Sequence, residues 1–147
     1  MRTLITALAI AVLGVAAAPP AAAQDEAPGL VTVVTSAEPQ TQLMAFVLTA
    51  QAREQGAEVR VLLCGPGGDL ALEDAPETAT APQEPQGMSP QALMLRLVGA
   101  GVPVEVCALY LPNKGVGPEA LLEGITPALP PAMAAAMLAP NTRLLTF

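Results

Sequence analysis

Any chemistry in this chain starts from two thiols. Cys64 and Cys107 are its only cysteines, and no histidine accompanies them. Without imidazole there is no Ser-His-Asp triad, no Cys-His dyad and no histidine zinc site. A reactive thiol would have to be a thiolate tuned by backbone dipoles or by a nearby cation. Cys107 meets that requirement better. It ends an apolar block, and the turn after it carries Asn113 and Lys114, the candidates for supporting a thiolate, while Glu105 works against one. Cys64 closes an apolar run whose one positive neighbour is Arg60, so it reads as a secondary thiol with a packing role.

The elements around these residues follow from hydrophobic periodicity. The β-branched run Leu30 to Thr35 reads as a strand buried on both faces. Apolar residues at Leu43, Met44, Phe46, Val47 and Ala50 predict a helix over 41–55, ended by Gly56. A second strand is expected from Glu58 to Cys64, closed by Gly65-Pro66-Gly67-Gly68. Residues 69–88 hold five acids (Asp69, Glu73, Asp74, Glu77, Glu84) among prolines and read as a solvated loop. Ser89-Pro90 is an N-cap followed by proline at the first helical position, opening a helix to about Val98. A third strand is expected over 102–109, then a turn-rich connection over 112–117 and a short helix from Pro118 to Leu122. A very short strand at Ile125-Thr126, a helix from Pro130 to Leu138 and a final strand from Arg143 to Phe147 complete the series. Strands alternating with helices imply an α/β fold: a single doubly wound, mostly parallel five-stranded sheet with helices on both faces.

The N-terminus reads as an export signal. One positive charge, the apolar run Ala7 to Ala18, a Pro19-Pro20 break and Ala21-Ala22-Ala23 describe a signal peptide over residues 1–23, cleaved after Ala23. The apolar run is too short to span a bilayer. The expected mature domain, 24–147, is then periplasmic and free of the membrane. Thirteen acids stand against six bases, one of them Arg2 within the signal, and no basic stripe exists. Binding to nucleic acid through its phosphates is therefore not expected.

Ligands of open parallel sheets gather outside the carboxyl ends of the strands. Both cysteines belong there, and in an exported protein two cysteines usually pair. With a strand order 2-1-3, strand one separates them and their Cα atoms lie roughly 9 to 10 Å apart, beyond bridging distance. With strands two and three as neighbours, the disulfide becomes the favoured reading. The Gly65 to Gly68 stretch lacks a phosphate-loop pattern and reads as a turn. The stretch after strand one lacks the cradle FMN needs. Asp69, Glu73 and Asp74 read as solubilising and the methionines as core, so no metal or organic cofactor is expected.

Four blocks resemble the DsrE/DsrF-like, TusD-related family of sulfur-relay proteins. They are Val31 to Ser36, Gly101-Val102-Pro103-Val104-Glu105-Val106-Cys107-Ala108, Leu121 to Ile125, and Leu144 to Phe147. The resemblance implies a flavodoxin-related topology and a cysteine after the third strand, here Cys107, that takes up sulfur as a persulfide. It also implies a sulfur donor or acceptor protein as partner and a homo-oligomer, trimer or hexamer. Relay proteins of this kind usually work in the cytosol, whereas this chain carries an export signal. The alternative is a non-catalytic scaffold or small-molecule or partner-binding module whose cysteines are buried and structural.

Overall fold

In the computed structural model, residues 27–147 are described; the expected export signal and its cleavage site lie outside them. Five strands form one sheet: β1 (Gly29–Val34), β2 (Glu58–Leu63), β3 (Val104–Val106), β4 (Ile125–Pro127) and β5 (Thr142–Thr146). The order is β4-β3-β2-β1-β5 and every pairing is parallel. The α/β class and the five-stranded sheet expected from the sequence are therefore present, and the strand order 2-1-3 is corrected. The chain steps outward from β1 to β4 through adjacent positions and then returns to place β5 on the far side of β1. Hydrophobic periodicity marks strands but carries no information about which ones become neighbours.

The helices divide between the two faces. The long helices α1 (Pro39–Glu54) and α3 (Pro90–Gly99) cover one face, where Phe46 and Met94 pack on alternate residues of the strands: Val34, Val61, Leu63, Val104 and Val106. Helix α5 (Pro130–Leu138) covers part of the other, setting Met133 against Val31 and Leu62. Alternation along each strand assigns the faces, since successive side chains point to opposite sides. One polar pair sits in the larger core. The fully buried Thr32 and Thr49 hydroxyls lie 2.7 Å apart, and Thr49 Oγ1 donates to the Ala45 carbonyl at 2.7 Å. Thr49 has one hydroxyl proton, so Thr32 must be the donor to it.

Local capping explains the helix starts. Glu38 caps α1 by accepting from the Gln40 and Thr41 amides at 3.1 and 2.7 Å. Those bonds, the Thr41 amide foremost, hold its carboxyl below the usual carboxylate range. Ser89 Oγ accepts from the Ala92 amide at 3.2 Å with Pro90 at the first helical position, as the sequence predicts.

Residues 69–88 are only in part the solvated loop expected: most of 73–88 is exposed, but the start of the segment is buried. A 3₁₀ segment (Gly65–Ala71) and the short helix α2 (Glu77–Thr80) carry Leu70, Ala71, Leu72 and Ala79 into the core. Gln91 Nε2 secures the segment by donating to the Leu70 and Leu72 carbonyls, each at 3.1 Å. A 3₁₀ turn followed by a single helical turn is too short to display a period, so its buried leucines are invisible to pattern reading. The connection after β3 also differs from expectation. Helix α4 (Tyr110–Lys114) occupies most of it and ends on Gly115 with φ 77°, while the expected helix over 118–122 is a 3₁₀ turn, Pro118–Ala120. Among the described residues, no helix is long and apolar enough to cross a membrane.

Candidate functional site

The register of two strands creates the site. β2 pairs with β3 so that Leu63 stands beside Val106, and the next residue on each strand is a cysteine. The ladder continues through that step, with the Cys107 amide donating to the Leu63 carbonyl at 2.8 Å and the Cys64 amide to Val34 at 2.9 Å. Cys64 and Cys107 are thus opposite one another on the same sheet face, with Cα atoms 5.1 Å apart, and they form a disulfide. The unpaired arrangement expected from the order 2-1-3 is overturned because β2 and β3 are direct neighbours, and adjacent parallel strands hold facing residues within bridging distance.

A pocket of about 490 Å³ opens at this carboxyl edge, with Cys107, Tyr110, Asn113 and Lys114 on one side and Gly65, Pro66 and Asp69 on the other. Cys107 lines it and both cysteines are half-buried. Of the sequence candidates, Cys107, Asn113 and Lys114 therefore share one pocket, and Cys64 stands behind Cys107 through the disulfide. The polar groups of the two supporting candidates are engaged elsewhere. Lys114 Nζ lies 2.6 Å from Asp69 Oδ1, and Asn113 Nδ2 donates to the Leu109 carbonyl at 2.7 Å.

Two functional side chains escaped the sequence reading. Tyr110 Oη also donates to Asp69 Oδ1, so Asp69 receives a hydroxyl and an ammonium on one oxygen. Burial pulls the Asp69 carboxyl up, but the Lys114 and Tyr110 hydrogen bonds and the Lys114 charge outweigh it and leave the group below its ordinary value. Burial, and then the Asp69 carboxylate, push the Tyr110 hydroxyl far above its ordinary value, so it remains a neutral donor. The available signal was a lone tyrosine three residues after Cys107. Gly67 and Gly68 make the clasp possible by close approach. A Cβ on Gly67 would collide with the Val34 carbonyl, and one on Gly68 with the Tyr110 ring, 2.6 Å from its nearest carbon.

Glu105, expected to disfavour a thiolate, is itself paired. Its Oε2 lies 3.4 Å from Arg60 Nε, close enough for charge attraction, though no donor is aligned to hydrogen-bond it. Among the described residues, no group of three acidic, histidine or cysteine side chains is arranged to hold a metal ion.

The fold of the described residues and the strand-end cysteine pair together define a parallel α/β protein with a disulfide at the carboxyl edge of its sheet. No protein-family model matches the chain, and no curated protein sequence does. Among solved structures it is similar to the YchN protein from E. coli, with a TM-score of 0.65 and 19% identity over 83% of this chain and all of that one. It is also similar to MTH1491 from Methanobacterium thermoautotrophicum, a protein of unknown function, with a TM-score of 0.55 and 12% identity over the same shares. At these identities the likeness shows the fold alone, which is DsrE-like.

Proposed function

We propose that this chain is a thiol-redox protein that exchanges sulfur with a partner protein through Cys107. The observation that carries the reading is the place of the disulfide, at the carboxyl edge of the sheet with Cys107 facing a pocket. A disulfide opens when a thiolate attacks one of its sulfurs, so access to that sulfur decides whether the bond is structural or reactive. Apolar side chains stand at the same edge. Leu109 follows β3 at 76% exposure and Leu129 follows β4 at 68%, the kind of surface a protein partner covers. Once a dithiol has reduced the pair, Cys107 as a thiolate would attack the terminal sulfur of a donor persulfide. It becomes a persulfide itself, and the donor leaves as a thiol.

The sequence blocks that resemble sulfur-relay proteins support the same reading. The expected export signal would place the domain in an oxidising compartment such as the periplasm, where a disulfide persists. Met44, Val47 and Leu48, exposed along α1, support self-association, and the trimeric or hexameric size is the one the resemblance implies. The reading is tested by alkylating the native protein before and after a mild dithiol. Cys107 should become labelled without denaturant, and a disulfide that opens only in denaturant would overturn it.

One observation favours a scaffold instead. Both cysteines pack against the face covered by Met133 and Met137, where a disulfide would act as a staple. The alkylation experiment separates the two readings.

A further inference from the structure

We infer that Cys64 is the resolving thiol for sulfur bound at Cys107, so that the chain releases the sulfur as hydrosulfide. This rests on the reading of Cys107 as the sulfur-accepting residue. Three observations carry it. Cys107 lines the pocket and Cys64 does not, so an incoming donor meets Cys107 first. Cys64 already bonds Cys107 across 5.1 Å between Cα atoms, so its sulfur reaches Cys107 without movement of the strands. The segments that follow the two cysteines are also joined independently of the disulfide, by Lys114 and Tyr110 on Asp69. Reduction therefore leaves the two thiols side by side.

Cys107 thiolate takes the terminal sulfur of a persulfide donor, and the donor thiolate leaves and picks up a proton. Cys64 thiolate then attacks Cys107 Sγ, forming the Cys64–Cys107 bond and breaking the bond to the outer sulfur, which departs as hydrosulfide with the electron pair. The transferred sulfur gains two electrons and the two cysteines lose them. A dithiol reductant restores the pair for the next turnover. Cys107 would then hold sulfur only briefly, and the persulfide would accumulate only where Cys64 is removed or blocked.

The test uses the full domain, reduced with a dithiol, desalted and mixed anaerobically with glutathione persulfide, with sulfide and intact mass both recorded. Wild type should release about one equivalent of hydrosulfide and return to the disulfide, and Cys64→Ser should keep about 32 Da, one sulfur atom, on Cys107 with sulfide release at least about tenfold slower. Cys64→Ala, which removes the hydroxyl, should behave like Cys64→Ser. Wild type that holds the added sulfur while Cys64 stays open to alkylation overturns the inference and leaves the carrier reading standing. A whole glutathionyl adduct on the Cys64 variants also overturns it, because the donor was then attacked at its inner sulfur. If wild type neither gains sulfur nor regains the disulfide, the underlying reading of Cys107 fails as well.

Discussion

Asp69 and Lys114, 45 residues apart in sequence, meet at 2.6 Å and bind the turn after Cys64 to the helix after Cys107. Tyr110 joins them on the same carboxylate oxygen. The clasp is a non-covalent counterpart of the disulfide, placed one turn beyond it.

Loosening the clasp should make the disulfide easier to reduce. Asp69→Asn removes the charge that holds Lys114, and the reduced cysteines would then spend more time apart. The loss of about one hydrogen bond, ~1 kcal/mol, corresponds to about a fivefold shift toward the dithiol. Equilibration with glutathione followed by alkylation reads the shift directly, and Lys114→Met should move it in the same direction.

The same contact has a pH signature. Because the folded Asp69 carboxyl lies below its ordinary value, its stabilising contribution is present above the unfolded value and lost as pH falls through the folded one. The difference in melting temperature between wild type and Asp69→Asn should hold steady from neutral pH down to about 4, the ordinary aspartate range, and close only in stronger acid. A gap that closes already at neutral pH would show that the ion pair does not form in solution.

Gly68→Ala should cost more than Gly65→Ala although both lie in one turn. The new methyl at Gly68 meets the ring of Tyr110, a buried group held at its far end by Asp69, whereas Gly65 faces open space and pays only for its positive φ of 50°. Overpacking of that kind costs about 1–3 kcal/mol, and urea unfolding measures it. The stability loss at Gly68 should come with an Asp69 that titrates nearer its ordinary value, observable by NMR.

The buried threonine pair makes an asymmetric prediction. Thr32→Val removes a donor and leaves Thr49 bonded to Ala45. Thr49→Val strands the Thr32 hydroxyl in the core, a desolvation cost of about 1–3 kcal/mol. Chemical denaturation should rank Thr49→Val as the more damaging change, and the double variant should cost less than the sum of the two.

Removing the disulfide should lower stability as well as chemistry. The bond closes a loop with a sequence separation of 43, and constraining a chain of that length in the unfolded state is worth about 4 kcal/mol. Comparing urea midpoints of the oxidised domain with Cys64→Ser or the reduced domain checks this value.

Much of the framework was readable without coordinates. The buried strands announced themselves by β-branched runs, α1 by the spacing of its apolar residues, although Met44 and Val47 of that set are exposed, and the α3 start by Ser89-Pro90, because each depends on residues close together along the chain. Leu70 and Leu72 read as part of a loop because the turn that buries them is too brief to repeat. Asp69 and Tyr110 were not recognised as site residues because each acquires its role only from the other. The sequence by itself determined an α/β domain with two thiols at strand ends, no histidine to activate them, and Asn113 and Lys114 in the segment that follows Cys107. Only the tertiary structure decided that β2 lies against β3, because neighbour choice depends on how whole crossovers pack, and that single adjacency turned two separate thiols into one disulfide.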